Sequence, residues 1–166
     1  MNRTALIEAF AAGAVAVRDA WQRVPTEARR FRPAPGEWSP HELVIHLADA
    51  DANGYLRFRK LVAEPGSIVP GYEQDAWAES LDYRGQDPDL AIDLMEHLRA
   101  LTHPILASLA DEIWAHSVTH SEVGRWTLED WLRTYTRHVD DHLNQMEAAV
   151  SAWRQHEPPD ESHATA

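Results

Sequence analysis

Residues 128–153 read LEDWLRTYTRHVDDHLNQMEAAVSAW and carry the clearest structural signal in the chain. Apolar side chains recur every three or four residues over this stretch, which predicts one long amphipathic helix with one face turned to a core. Thr127 precedes the stretch as a helix cap, and Asp130 takes the matching capping-box position. The predicted core-facing residues are Leu128, Trp131, Leu132, Tyr135, Val139, Leu143, Met146, Val150 and Trp153.

Three earlier segments also have helical periodicity. The first covers about residues 3–23, and the second begins at Ser39 and stops near Glu64. Ser39 and Glu42 have the spacing of a capping box, with Pro40 at the first helical position, and together they predict a sharp helix start. The apolar face of the second helix is expected to contain Leu43, His46, Leu47, Ala50, Gly54, Phe58 and Leu61.

The third of these helices is predicted to begin after Asp87, which caps it, with Pro88 at the first helical position. Pro104 predicts a kink or break around residues 100–103, because proline has no N–H and collides with the preceding turn. The stripe expected to face the core consists of Leu90, Leu94, Leu98, Leu101, Ile105 and Leu109.

The connections between the helices are long. Residues 64–87 show no clear periodicity, residues 111–126 suit either a short hairpin or an irregular loop, and no pairing of strands is convincing. We therefore predict an all-α fold, a four-helix bundle with long connections between helices 2 and 3 and between helices 3 and 4. The bundle is expected over residues 1–154, with a disordered tail at residues 155–166.

Composition restricts the classes of function. The 166 residues carry a formal net charge of −12, which argues against a nucleic-acid backbone or an anionic membrane as partner. The first helical segment fits an amphipathic helix better than a signal peptide, so we expect a cytoplasmic protein. There is no cysteine, so any metal ion must be held by imidazole and carboxylate groups.

His138 and His142 lie four residues apart on the flank of the apolar face of the last helix. Residues at this spacing share one helical face, so both rings can reach the same metal ion. One helix supplies only part of a coordination shell, and His46 on the second helix is the best candidate for a third ligand. Separately hydrogen-bonded histidines are the alternative, which the spacing alone leaves open.

Several other polar residues are weaker candidates. Asp49, one turn after His46, either orients that ring, binds as a fourth ligand or faces water, and Gln145 has a similar supporting role. His116 and His120 would be roughly 13 Å apart in an extended segment, too far to share an ion. Tyr72 and Trp77 either cover a pocket or pack over the bundle end. Surface or capping positions are expected for His41, His97, His103, His156 and His163. Arg125, Arg133 and Arg137 either bind an anionic substrate group or lie in solvent on a helix surface, and the surface position is the expected one.

Four pieces of sequence carry a family resemblance. Arg32-Pro33 and Gly36-Glu-Trp-Ser-Pro-His-Glu-Leu-Val-Ile-His-Leu-Ala-Asp49 are followed by Gly124-Arg-Trp-Thr-Leu128 and by Tyr135-Thr-Arg-His-Val-Asp-Asp-His-Leu-Asn-Gln145. In this order and spacing the chain resembles the DinB-like (DinB/YfiT-type) superfamily, whose members are proposed to be metal-dependent enzymes. The resemblance spans about residues 5–152.

This resemblance implies a four-helix bundle of unusual topology that holds one divalent metal ion on three histidines. Carried over position by position, the ligands are His46, His138 and His142, and the ion is Zn, Ni or Fe. The resemblance also implies a homodimer. Some relatives transfer low-molecular-weight thiols such as bacillithiol, mycothiol or glutathione to electrophiles.

Three functions remain open from the sequence. The first is a thiol S-transferase that acts on small electrophiles, with its thiol taken from a cosubstrate because the chain has no cysteine. The second is a metal-dependent hydrolase that uses metal-bound water, for which Asp49 is the available general base. The third is a metal-binding stress-response module without turnover, which predicts a shell saturated by protein groups and no open pocket.

Overall fold

Four long helices carry the structure of residues 2–156, the part of the chain that this computed structural model describes. Their apolar faces form the core, and the four-helix bundle expected from the sequence is confirmed. None of the helices in this described range is both long and apolar enough to cross a membrane. The helices are α1 (Arg3–Arg23), α2 (Pro40–Ala63), α3 (Gln74–Ser80), α4 (Pro88–Ser108) and α5 (Leu128–His156), of which α3 is short.

The order of the helices in space differs from their order in sequence. Both α1 and α2 pack against α4 and against α5, whereas α1 and α2 touch each other little. Helices α1 and α2 therefore lie diagonally across the bundle, and so do α4 and α5, whereas α2 and α4 are neighbours. The connections between α1 and α2 and between α4 and α5 are long enough to cross these diagonals.

A small three-stranded sheet lies beside the bundle. It consists of β1 (Ile68–Val69), β2 (Ser117–His120) and β3 (Gly124–Thr127), with β1 parallel and β3 antiparallel to β2. The hairpin, one of two readings of residues 111–126, is confirmed. The expectation of no strand pairs was wrong, and residues 64–87 are not featureless, since they contain β1 and α3. The reason is that β1 has only two residues and pairs with a strand about fifty residues later in the chain. No local sequence pattern predicts such a pairing.

Helices α2 and α5 begin where the sequence places them. The Ser39 side chain accepts a hydrogen bond from the Glu42 N–H, and the Glu42 carboxylate accepts one from the Ser39 N–H, which completes the predicted capping box. Thr127 and Asp130 exchange the same pair of contacts at the start of α5. All seven residues expected on the apolar face of α2 are buried, as are most of those expected on α5.

The predicted core stripe of α4 was wrong. Leu90, Leu94, Leu101 and Ile105 are between 36% and 66% exposed, and the buried residues are Ile92, Met95, Arg99, Thr102 and Leu106. These five residues follow one another at spacings of three and four, as residues on the inner face of a helix do. Because two of them are an arginine and a threonine, apolar periodicity alone does not identify this face. Of the kink or break predicted around residues 100–103, the break was wrong, since α4 continues through Pro104 to Ser108.

The buried arginine joins all four long helices. The Arg99 guanidinium donates to both carboxylate oxygens of Asp51 on α2, at 2.5 and 2.8 Å. It also donates to the backbone oxygen of Phe10 on α1, at 2.6 Å, and of Tyr135 on α5, at 3.4 Å. Arg99 and Asp51 have side chains only 2% and 3% exposed, so both charges are removed from water and satisfied by each other and the backbone.

The C-terminal boundary differs slightly from the prediction. Helix α5 continues to His156, so residues 155 and 156, which the sequence assigned to the tail, are helical. The rest of the predicted tail, residues 157–166, lies outside the described residues.

Gly13 of α1 gives a test of how tightly Arg99 is held. A Cβ atom at this position would lie 2.3 Å from Nη1 of Arg99, which is already bound on several sides. Gly13→Ala is therefore expected to lower the free energy of unfolding by about 1–3 kcal/mol, although alanine normally stabilises a helix by about 1 kcal/mol over glycine. Urea denaturation measures the change. Ala12→Gly at the exposed neighbouring position reports the propensity effect alone, and a rise in stability on Gly13→Ala would contradict the packing.

Candidate metal centre

Three histidines from two helices meet inside the bundle. His46 comes from α2, and His138 and His142 come from successive turns of α5. The Nε2 atom of His138 lies 3.2 Å from Nε2 of His46 and 2.9 Å from Nε2 of His142. One ligand atom from each ring lies within 4.8 Å of the other two. The structure therefore brings together the three residues that the sequence singled out.

The contacts between these rings fit a cation better than hydrogen bonds. Nδ1 of His142 donates to Oε1 of Gln145, at 2.7 Å, so Nε2 of a neutral His142 ring carries a lone pair. His138 then has one Nε2 atom facing two other ring nitrogens, and a single proton cannot serve both contacts well. A divalent ion accepts three lone pairs at once. Nitrogens bound tetrahedrally at about 2.0–2.1 Å lie roughly 3.3 Å apart, close to the two distances from His138 Nε2 to the other rings.

Burial keeps all three rings neutral, which is the form that binds metals. Burial, and then the proximity of the other two histidines, lowers the pKa of His46 to about 2. Burial and the neighbouring His142 lower the pKa of His138 to about 3. The pKa of His142 is lowered as well, mainly by burial, against an opposing effect of the Gln145 contact.

The surroundings of His46 hold its ring in place. The Trp38 ring packs against it with a centroid distance of 4.7 Å, and Nδ1 of His46 is buried with no hydrogen-bond partner among the described residues. An unpaired buried nitrogen costs about 1–3 kcal/mol, so this ring needs a compensating interaction at its other nitrogen. Binding an ion at Nε2 would supply it.

Asp49 makes a contact that the sequence analysis did not consider. Its Oδ2 atom accepts a hydrogen bond of 2.6 Å from the Tyr83 hydroxyl, and its side chain is half-buried. It does not belong to the group of ligand atoms formed by the three histidines. Tyr83 is fully buried and packs against Trp38, so it connects Asp49 to the ring that covers His46.

His116 and His120 do not form a second site. His120 is the last residue of the extended strand β2, and His116 is the residue just before that strand begins. His116 donates from Nδ1 to the Leu61 carbonyl, whereas His120 packs against Trp126. The surface position expected for His41 was wrong, since it is buried and its Nε2 atom donates to the Tyr83 carbonyl at 3.0 Å.

A cavity of about 290 Å³ lies directly beside His138. Its walls come from α2, α5, the hairpin and the segment before α3. The pocket-covering role that was one of two readings for Tyr72 is confirmed, while Trp77 packs on the Tyr72 ring with a centroid distance of 4.4 Å. The charged and polar residues that line the cavity include Arg57, Tyr72, His120, Glu122, Tyr135 and Arg137.

Sequence reasoning missed Arg57, Tyr83 and His120 as neighbours of the site. Arg57 lies eleven residues after His46 on the same helix, and that distance of three turns was a usable signal for a shared face. Tyr83 and His120 lie in connecting segments, where no periodicity predicts which side chains turn inward.

Residues 9–146 match the family model described as the DinB superfamily. The chain belongs to the DinB superfamily. This membership agrees with the sequence resemblance and with the bundle described above.

Individual bacterial proteins are similar to part of the chain. The chain is 29% identical over 109 residues to the Bacillus subtilis protein named "Putative metal-dependent hydrolase YfiT", a match that spans 65% of this chain and 61% of that protein. Relatives of the same description occur in Bacillus licheniformis, 27% identical over 114 residues, and Oceanobacillus iheyensis, 26% identical over 108 residues. These matches span 65% and 62% of those proteins. The chain thus matches less than two thirds of the length of each relative.

A solved structure of YfiT from Bacillus subtilis has the same fold. It superimposes with a TM-score of 0.85 at 22% identity and covers 92% of this chain and 87% of its own. That protein is described as having an unusual four-helix bundle topology. The diagonal placement of α1 and α2 is a feature of this chain that departs from a simple up-and-down bundle.

The lowered pKa values predict a marked sensitivity to acid in metal-free protein. Unfolded His46 and His138 would titrate near pH 6.5, but the folded rings do not take up protons until about pH 2 and 3. The contribution of these two neutral rings to the free energy of unfolding is therefore fully present well above pH 6.5. It is lost progressively as the pH falls from 6.5 toward the folded pKa values. Between pH 6.5 and 5.5 the two rings together are expected to remove about 2 kcal/mol from the free energy of unfolding.

Urea denaturation in the presence of a chelator at pH 7.5, 6.5 and 5.5 measures this dependence. His138→Gln keeps a polar side chain without the titration and is expected to remove the share of His138, about 1 kcal/mol, from the loss. If the free energy of unfolding depends on pH in the same way in the parent protein and in the variant, His138 is not one of the rings that titrate on unfolding.

Proposed function

We propose that this protein is a metal-dependent enzyme that hydrolyses a small molecule bound beside His138. The observation that carries the proposal is the dual position of His138. Its Nε2 atom meets those of two other buried histidines, and its side chain also lines an open cavity. A site of this kind delivers a substrate directly to the ligand cluster.

The residues present fit a catalytic ion. Three neutral imidazoles leave at least one coordination position free, which is the arrangement of catalytic zinc sites. A bound divalent ion supplies a Lewis acid that polarises a substrate or lowers the pKa of a water or thiol placed on it. The donor set suits Zn, Ni or Fe, and does not choose among them.

The protein's own groups position and shield this centre. Gln145 fixes the tautomer of His142, and the Trp38 ring packs against the His46 ring. Asp49 is the carboxylate to which we assign proton transfer, because it lies one helical turn from His46 and its carboxylate has one hydrogen-bond partner among the described residues, the Tyr83 hydroxyl. Hydrolysis is supported further by the names of the relatives, which describe metal-dependent hydrolases.

Thiol transfer to a small electrophile is the second candidate. The ligand cluster within residues 2–156 contains no carboxylate, which a hydrolase would use beside the ion to accept a proton. A thiol needs less help, since its ordinary pKa is about 8.5 and coordination deprotonates it. The chain contains no cysteine, so a low-molecular-weight thiol from solution would be the cosubstrate.

A binding module without turnover has less support. That function predicts a coordination shell filled by protein groups and no cavity beside it. The described residues instead supply three ligands, with a cavity of about 290 Å³ next to one of them.

Metal content and turnover together test the proposal. Protein purified without a histidine tag is expected to contain close to one equivalent of Zn, Ni or Fe, and each of His46→Gln, His138→Gln and His142→Gln is expected to lose it while remaining helical. Hydrolysis of a panel of esters and amides should fall at least 100-fold in the same variants, since the ion supplies several kcal/mol of transition-state stabilisation. His97→Gln, at an exposed position on α4, is the matched control.

The outcomes separate the alternatives. If turnover requires bacillithiol, mycothiol or glutathione together with an electrophile, the protein is a thiol transferase and not a hydrolase. Full metal occupancy without turnover of either panel would favour the binding module. A parent protein that takes up no metal after reconstitution would overturn all three.

We also propose that a second copy of the chain covers the exposed apolar face of α4. Leu90, Leu94, Leu101 and Ile105 follow one another at spacings of four and seven residues, so they form one stripe along roughly 22 Å of helix. A stripe this long is more than a monomer usually exposes, and two copies related by a twofold axis would each cover the other's stripe.

The doubly substituted Leu94→Glu, Leu101→Glu protein is therefore expected to be a monomer, because two carboxylates per copy would face each other across the interface. Light scattering after size-exclusion chromatography measures the mass. Leu56→Glu, at an exposed leucine on α2 outside the stripe, should leave a dimer. A monomeric parent, or an unchanged mass in the double variant, would contradict this assembly.

A further inference from the structure

We infer that Arg57 binds the anionic group of the substrate, a carboxylate or a phosphate, in the cavity beside His138. The inference rests on the proposed function in treating the bound anion as part of a substrate. It adds the chemical class of that substrate, which neither the ligand cluster nor the names of the relatives specify.

Arg57 is held rigidly at the cavity wall. Its Nη1 atom donates to the Tyr135 hydroxyl at 3.0 Å, and its Nη2 atom donates to the Pro70 carbonyl at 2.5 Å. The guanidinium carbon lies 5.9 Å from the centre of the Tyr72 ring. A guanidinium has five N–H donors in a planar fork, so these two contacts set its orientation and leave further donors for a ligand.

Tyr135, which accepts the hydrogen bond from Arg57, is itself held in place by core packing. Its side chain is buried against Trp131, with a ring centroid distance of 5.1 Å. The ring also lies so close to Gly54 that a Cβ atom there would be 2.6 Å from it. The hydroxyl that accepts from Arg57 is therefore fixed by packing, which reduces the entropy lost when the guanidinium binds a ligand.

The positive charge of Arg57 has no carboxylate partner. Every ion pair recorded within residues 2–156 involves other residues, although Arg57 is half-buried. The two partners that it does have are neutral oxygens. A partly desolvated cation of this kind is stabilised when an anion arrives, because the anion replaces lost hydration with charge-assisted hydrogen bonds.

Among the charged residues that line the cavity, Arg57 is the cation whose position is fixed by hydrogen bonds. Arg137 also lines the cavity, but it is largely exposed and lies 3.6 Å from Asp141. Glu122 is the one carboxylate among the lining residues, and it lies against Gly71. Burial, with Arg57 nearby, lowers the pKa of His120, so this ring adds no charge near neutral pH. The lining residues thus include two arginines and one glutamate in a chain of net charge −12, and Arg57 is the cation that the structure holds in place.

Size and position define the ligand further. A cavity of about 290 Å³ is at the small end of ligand sites, so it suits a molecule of modest size rather than a peptide or polymer. His138 and Arg57 are both part of its lining. An anionic group bound to Arg57 would leave the remainder of the molecule to extend toward the histidine cluster, which orients the reacting bond.

Calorimetric titration with benzoate, phenyl phosphate and the neutral isostere benzamide tests the inference. Benzoate or phenyl phosphate is expected to bind at least tenfold more tightly than benzamide, and comparison of the two anions shows which group the site prefers. Arg57→Gln should weaken binding of the preferred anion at least tenfold. Arg57→Lys should lie between, because lysine keeps the charge without the planar fork. Glu122→Gln should strengthen anion binding about twofold to threefold by removing a like charge.

Arg59→Gln is the matched control. Arg59 is a half-buried arginine on the same helix, stacked over Tyr55 as Arg57 lies over Tyr72, but it is not part of the cavity wall. Its substitution should change anion affinity less than twofold. Titrations are run on protein as purified and after treatment with a chelator, and metal content is measured for each sample.

The inference is overturned if Arg57→Gln binds the anions as well as the parent does. It is overturned equally if both anions bind no better than benzamide, or if their binding disappears with the metal and is indifferent to Arg57, since the ion would then hold the anion. Failure of the proposed function appears separately, as a parent protein without metal. The dependence of anion affinity on Arg57 can still be measured in that protein.

Discussion

The buried guanidinium of Arg99 is the interaction on which the bundle depends. It comes from α4 and binds the Asp51 carboxylate on α2 together with backbone oxygens of α1 and α5. An arginine whose side chain is 2% exposed is tolerated only when its donors are satisfied, so the four helices can approach only in the arrangement that supplies these oxygens. Gly13 belongs to the same constraint, because any larger side chain would occupy the space of the guanidinium.

The candidate metal centre is built on this arrangement. Asp51 follows His46 by five residues on α2, and Tyr135, whose carbonyl also contacts Arg99, precedes His138 by three residues on α5. The contacts that fix the relative position of α2 and α5 are therefore one to two turns away from the three imidazoles. Tyr135 links the network to the cavity as well, since its hydroxyl holds Arg57. Core, ligand cluster and cavity share one set of rigid helices, which favours precise chemistry.

Sequence reasoning succeeded where local spacing decides the outcome and failed where the core contains polar groups. The caps of α2 and α5 and the apolar faces of both helices were predicted correctly, because each depends on residues three or four apart. On α4 the same reasoning chose the exposed leucines, because the true inner face carries Arg99 and Thr102. A charged side chain in a core is rare, so apolar periodicity alone points to the wrong face.

By itself, the sequence determined the four long helices, most of their boundaries, and the placement of His138 and His142 on one face of α5. Each of these follows from bond geometry within a single helix. Only the tertiary structure decided that His46 meets those two rings, that β1 pairs with β2, and that Arg57 and His138 line one cavity. These contacts join residues separated by about fifty to ninety positions. Their geometry depends on how whole helices pack, and no local pattern records it.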